Sequence, residues 1–267
     1  LGKTLGKMWR LMMRKPILLA TEGVTEAKPK KTQPCAIRTA VLPRTDARRL
    51  RAAASDAGVS VNDVYLQQMM LHLRDWNQQY GKIRDHEWIR LAVPISMRTA
   101  DHEGLPASNL VSYAFVTRRV SECRDPQELL KSIHQQTSDT LFHREGVVFY
   151  KVLRMARRLP FGFGLLLKLK PCLCTMVVAN VGDARRRFSG RFPLQRGKWI
   201  AGNVVVDRID GVAPVRPNTR AAVSIGDYAG DVIINLRTDT LTIAADRSDE
   251  FLAGYLNRLK TLADSQP

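Results

Sequence analysis

The 267-residue sequence is short of cysteine, of long apolar runs and of acidic side chains, and each shortage excludes something. Its four cysteines stand at 35, 123, 172 and 174. Cys172 and Cys174 are too close along the chain for an easy disulfide, and no second Cys or His pair stands at zinc spacing. A disulfide framework and a metal site are therefore not expected, whereas reduced thiols in a cytoplasmic protein are. The longest apolar stretch, residues 159–167, ends at Lys168 and is too short to span a bilayer. No secretory leader pattern opens the chain. It starts on Leu rather than Met, so a piece of a longer protein is expected.

Basic side chains fill the gap left by acidic ones. Lys and Arg number 42 against 25 Asp and Glu, a formal net charge of +17. The excess comes in blocks: residues 1–51 hold 13 basic and 3 acidic residues, 144–170 hold 7 and 1, and 183–220 hold 9 and 3. Blocks of one sign point to a surface that meets anions. The basic loop with Arg185, Arg186, Arg187, Arg191, Arg196 and Lys198 is interleaved by Phe188 and Phe192, as in single-strand nucleic-acid platforms. No recognised nucleic-acid module accompanies it, and a nucleic-acid partner is not expected. Phosphates of a small ligand, an acidic carrier protein, an anionic membrane or plain solvent remain as readings of this surface.

Apolar periodicity marks the elements. Residues 1–19 read as a basic amphipathic helix stopped at Pro16, and 20–34 as a linker, so residues 1–34 are separated from a domain at 35–267. A strand is expected at 35–42, a short helix at 47–57 capped by Thr45 or Asp46, and a long helix after Ser60. Ser60 with Asp63 three residues on is a capping-box signature. Residues 91–95 read as a strand buried on both faces, with Pro94 at its end or at an edge. Further strands are expected at 109–120, 173–181, 199–208 and 221–228, with a return strand at 232–236 after the Ala229-Gly230 turn. Helices are expected from Asp125-Pro126 to about His143, at 147–159, at 161–170 and at 248–262. A helix feeding a buried strand is an α/β building block.

The stretch 60–98 carries a resemblance. Asn62-Asp63 opening an apolar helix, then Val93-Pro94 with Ser96 and Arg98 on a strand, resembles the C-terminal half of the CoA-dependent acyltransferase superfamily, which includes condensation domains. Wax ester synthase/diacylglycerol acyltransferases and alcohol acetyltransferases are the closest pattern. Asn109 heading a strand, Ala179-Asn180-Val181-Gly182 and Tyr228-Ala229-Gly230 match in order, and the resemblance covers roughly residues 35 to 264. It implies a mixed β-sheet flanked by helices mainly on one side, one lobe of a chloramphenicol-acetyltransferase-like pair. It also implies acyl transfer from a CoA or carrier-protein thioester to an alcohol or amine in a tunnel between two lobes. The thioester would be a donor substrate, not a tightly bound cofactor.

That chemistry needs a general base, and in the superfamily it is the second His of an HHxxxDG motif in the other half. Histidines stand here at 72, 86, 102, 134 and 143, no two adjacent, so no catalytic residue is assigned. Ser96 and Arg98 end a buried strand where open sheets place ligands. Arg98 could equally pair with Asp101. Asn109 and Asn180 can offer amides to an acceptor or an oxyanion, or satisfy backbone at a bulge or turn. Asn62, Asp63 and Pro94 are read as structural, Asp63 through the cap and the helix dipole. His72 and His134 fall on helices and are read as surface or core residues. Three functions stay open: an acyltransferase lobe completed by an N-terminal lobe, a non-catalytic module binding a carrier protein, acyl lipid or anionic membrane, and a basic nucleic-acid binder.

Overall fold

A computed structural model describes residues 6, 13–21, 35–99, 102, 110–142, 172–184, 192–215 and 219–265. The helices expected at 147–159 and 161–170, most of the one at 1–19, most of the linker, and Asn109 lie outside the described residues, as do Arg185, Arg186, Arg187 and Arg191.

Six of the apolar runs form one sheet. They are β1 (Cys35–Leu42), β2 (Trp88–Ser96), β3 (Val111–Arg119), β4 (Met176–Asp183), β8 (Ala221–Tyr228) and β9 (Asp231–Asp239). Their order is β1-β9-β8-β4-β2-β3. β4 pairs in parallel with β2 and with β8, and the other pairings are antiparallel. The three parallel strands are continuous apolar runs because both faces are covered. Leu91, Val178 and Val223 enter the larger core, while their neighbours Ala92, Val177 and Ala222 enter a second core behind the sheet. Period-2 alternation sends successive side chains to opposite layers.

Helices cover the first face. They are α1 (Arg44–Asp56), α2 (Val61–Tyr80), α3 (Pro126–Phe142) and α4 (Ala245–Asp264). Each contributes apolar side chains to one core, among them Leu50, Met69, Met70, Leu129, Ile133, Phe251 and Tyr255. The opposite face is covered by Ala213 and Val215, in the segment that leads into β8. The architecture is thus the mixed α/β lobe expected from the element order, with its described helices on one side of the sheet.

Some boundaries move for tertiary reasons. α1 starts at Arg44, three residues early, with Pro43 as N-cap and no side-chain cap from Thr45 or Asp46. The Asp231 carboxylate accepts from the Arg44 N–H at 2.9 Å instead. α4 starts at Ala245, and Ser248, expected to open it, is buried and bonds to the Ala244 carbonyl and to Thr238. The strand expected at 199–208 divides at Gly202, whose φ is +63°. The result is a small sheet of β5 (Leu194–Gln195), β6 (Lys198–Ala201) and β7 (Val204–Val205). Tyr228 docks it: its hydroxyl accepts from the Trp199 N–H at 2.9 Å and donates to the Val206 carbonyl at 2.7 Å.

Residues 13–21 pack against the amino-terminal end of the parallel strands. Leu19 is buried in the main core. The Ile17 N–H donates to the Trp88 carbonyl at 2.9 Å, and the Ala20 N–H to Asn77 at 2.7 Å. Arg90, buried on β2, donates to the carbonyls of Arg14 and Leu173 and to Thr117. Burial lowers its pKa to about 10.

Candidate functional site

The carboxyl ends of β2, β4 and β8 lie at one end of the sheet, because these strands run the same way. β1 runs with them, being antiparallel to β9 as β8 is. The amino terminus of α2 is brought to the same end by a side-chain contact: the Asn180 amide donates to Asn62 Oδ1 at 3.1 Å. Crevices at the carboxyl ends of parallel strands are where open α/β sheets hold ligands.

Asn180 stands at a bulge. The β4–β8 register shifts between Asn180 and Gly182, and Gly182 has a φ of +70° that a residue with a side chain rarely adopts. The Asn180 side-chain Oδ1 spans the bulge and accepts from the Gly182 N–H at 2.9 Å. This orients the carboxamide so that its amide group faces Asn62. Among the described residues, one N–H of Asn180 and the amide group of half-buried Asn62 have no other acceptor.

On the neighbouring strand, β2 and β4 pair at Leu91–Met176 and Ala92–Val177. Pro94, which has no N–H to donate, lies beyond those pairs and opposite Tyr113 of β3. Ser96 and Arg98 follow on the exposed rim, where the Arg98 N–H lies 3.4 Å from Ser96 Oγ. The strand end therefore places a hydroxyl and a guanidinium at the same end of the sheet as the Asn62–Asn180 pair.

Asp63 completes the reciprocal capping box: its carboxylate accepts from the Ser60 N–H at 3.0 Å and its N–H donates to the Ser60 hydroxyl at 3.2 Å. It is buried, and it also accepts from Thr137 at 2.6 Å and meets His134 Nδ1 at 2.8 Å. Burial alone would raise its pKa, but the hydrogen bonds from Thr137, His134 and Ser60 outweigh it and hold the carboxyl below its ordinary value. His134 and Thr137 were missed as partners of this residue. Their spacing of three on one helix puts them on one face, a signal that marks a pair without identifying what it faces. His134 is half-exposed, and its Nδ1 is oriented by the buried carboxylate.

Further along this end, Arg51 of α1 pairs with Asp227 of β8. Beside them Tyr65 Oη is buried without a hydrogen-bond partner among the described residues. Burial raises its pKa, and the Asp227 charge adds to the effect. The row ends in an open cavity at the Ala229-Gly230 turn, lined by Arg44 and Arg196.

No family model matches the sequence, and no curated protein matches it. Solved structures do match in fold. The chain is similar to trichothecene 15-O-acetyltransferase TRI3 from Fusarium sporotrichioides, with a TM-score of 0.69 and 11% identity over 98% of this chain and 53% of that one. It is similar to the EpoB nonribosomal peptide synthetase cyclization-docking bidomain from Sorangium cellulosum, with a TM-score of 0.64 and 14% identity over 100% of this chain and 49% of that one. The epimerization domain from the third module of tyrocidine synthetase B gives a TM-score of 0.65 at 12% identity, over 98% and 55%. The fold is that of one lobe of the condensation domains and related acyltransferases, and the chain spans about half the length of these neighbours.

Proposed function

We propose that this chain is the C-terminal lobe of an acyltransferase that moves an acyl group from a thioester, on CoA or a carrier protein, to an alcohol or amine. The observation that carries the reading is the Asn62–Asn180 pair at the carboxyl end of the parallel strands, in a lobe whose fold neighbours are about twice its length. In the reaction an acceptor hydroxyl or amine loses its proton to a base, and its lone pair attacks the thioester carbonyl. The oxyanion that forms collapses, expels the thiolate and leaves an ester or amide; the thiolate takes up the proton. Amide N–H groups of Asn62 and Asn180 are suited to meet the oxyanion or the acceptor. Ser96, Arg98 and Asn109 are assigned acceptor-side contacts.

The base is assigned to the N-terminal lobe that completes the tunnel, since this chain has no paired histidines. The acceptor is assigned to the long-chain alcohols or diacylglycerols used by wax ester synthase/diacylglycerol acyltransferases, in a cytoplasmic enzyme. Its basic stretches, including Arg185, Arg186, Arg187 and Arg191, would face an anionic membrane or the donor's phosphates.

The test is an assay of the full-length protein for thiol release from acyl-CoA and acyl-carrier donors, with short alcohols, long-chain alcohols, diacylglycerol and amines as acceptors. The expected result is acceptor-dependent thiol release that falls at least tenfold in Asn180→Ala, with this chain alone inactive. A full-length protein without paired histidines and without turnover on any donor would replace this reading with a non-catalytic module binding a carrier protein or acyl lipid.

A further inference from the structure

We infer that the cavity between Arg44 and Arg196 is a binding site for a phosphate group. The cavity measures about 460 Å³ and is lined by Arg44, Arg196, Gly197, Ala229 and Gly230. That is larger than a phosphate alone needs, and it falls in the size range of small-ligand sites. It opens at the same end of the sheet as the Asn62–Asn180 pair. The inference stands on this cavity and does not require acyl transfer.

Two hairpin turns make its walls. Gln195 pairs with Lys198, leaving Arg196 and Gly197 as a two-residue loop, and Tyr228 pairs with Asp231, leaving Ala229 and Gly230. All four loop residues have positive φ: 51° at Arg196, 81° at Gly197, 54° at Ala229 and 101° at Gly230. Such loops favour Asn, Asp or Gly at the first position. An arginine there is held against its own backbone preference, and a strained residue persists where the surroundings over-determine it. The surroundings are the Tyr228 bonds to Trp199 of β6 and to Val206 just after β7, with the Trp199–Tyr228 ring contact at 5.6 Å, which tie one hairpin to the other. Arg196 is therefore presented from a fixed frame.

Arg44 comes from the other side. Gly230 leaves room for it: a Cβ there would stand 2.8 Å from Arg44 Cδ. Neither guanidinium has an ion-pair partner among the described residues. Arg44 also opens a 13-residue helix with no side-chain cap among the described residues, and its N-terminus adds positive potential at the cavity mouth. The nearby carboxylates are engaged: Asp231 accepts the Arg44 N–H, Asp46 takes the Thr45 hydroxyl and Asp207 holds Lys198. Two unpaired guanidiniums facing one space suit the planar, bidentate recognition that Arg gives phosphate.

The experiment is calorimetric titration of the 267-residue chain and its Arg44→Gln, Arg196→Gln, double and Arg196→Gly variants. The probes are inorganic phosphate, CoA, 3′-dephospho-CoA, and vesicles of phosphatidylcholine with or without phosphatidic acid. At least one phosphate-bearing probe is expected to bind, weakening about tenfold for each arginine removed, the scale of a hydrogen bond to a charged group. Tighter CoA than dephospho-CoA binding would identify a nucleotide 3′-phosphate as the source. Binding only to vesicles with phosphatidic acid, lost in the double variant, would identify a lipid headgroup. Arg196→Gly, which relieves the turn, should melt no lower than the parent and yet bind as weakly as Arg196→Gln. The inference is overturned if no phosphate-bearing probe binds the parent, or if the double variant or Arg196→Gly binds like the parent. Phosphate binding without thiol release in the full-length protein would sink only the acyltransferase reading.

Discussion

Acid should destabilise this lobe well above the range in which its carboxylates titrate, and His72 is the cause. Its imidazole lies on α2 against α4, with its centroid 4.4 Å from that of Phe251. Nε2–H donates to the Phe251 carbonyl at 2.8 Å, which sets the neutral tautomer. Nδ1 has no partner among the described residues, so a second proton there would be an unpaired buried donor. Burial lowers the pKa from 6.5 to about 4, the Phe251 bond offsets part of that, and the Arg258 charge adds to it. The unfolded chain therefore binds a proton between pH 6.5 and about 4 that the folded chain refuses, so stability rises with pH across that window. At roughly 1.4 kcal/mol per fully developed pH unit, the loss relative to pH 7 is about 1 kcal/mol at pH 5.5 and about 3 kcal/mol at pH 4. Urea unfolding at pH 7, 6.5, 6, 5.5 and 5 would read it. His72→Leu should cost some stability at pH 7 but remove most of the slope between pH 6.5 and 5. An unchanged slope in that variant, or a flat parent profile, would refute the reasoning.

Other predictions follow from the same contacts. Gly254→Ala should destabilise by about 1–3 kcal/mol despite its better helix propensity, because the new Cβ would stand 2.8 Å from the His72 ring, itself wedged among aromatics; thermal melting checks this. Asp63→Asn should cost about 2–3 kcal/mol, since it breaks the capping box and the buried bonds to His134 and Thr137, whereas Thr137→Val should cost about 1. Because the Asp63 pKa is lowered, its contribution is complete above the unfolded value near 3.8 and is lost as pH falls through the folded one; Asp63→Asn should flatten the acid limb below pH 4. Tyr228→Phe should cost about 1–2 kcal/mol and speed hydrogen exchange at the Trp199 amide, which loses its acceptor.

Much of the frame was legible because it is local. The Ser60–Asp63 capping box spans three residues, and the apolar faces of α2 and α4 repeat at helical spacing, so a linear reading finds them. The burial of β2 and β4 was legible in the apolar runs at 91–95 and 173–181, whereas 221–228 read only as a strand. The Ala229-Gly230 turn between two strands was legible from its residues. The superfamily resemblance added the order of the motifs, and the lobe has the fold it implied.

What only the tertiary structure decided is who meets whom across the sheet. Asn62 and Asn180 are 118 residues apart, and they touch because β4 is inserted between β2 and β8. Asp63 and His134 are 71 apart, and Arg44 takes its cap from Asp231 across 187 residues of chain. None of these distances leaves a periodic trace, since hydrophobic spacing specifies which face is buried and not which buried faces are neighbours. The amino acids alone determined the elements, their faces and the excess of positive charge. Strand order, a long-range outcome of packing all those faces at once, determined that two asparagines meet at one end of the sheet and that two arginines share one cavity.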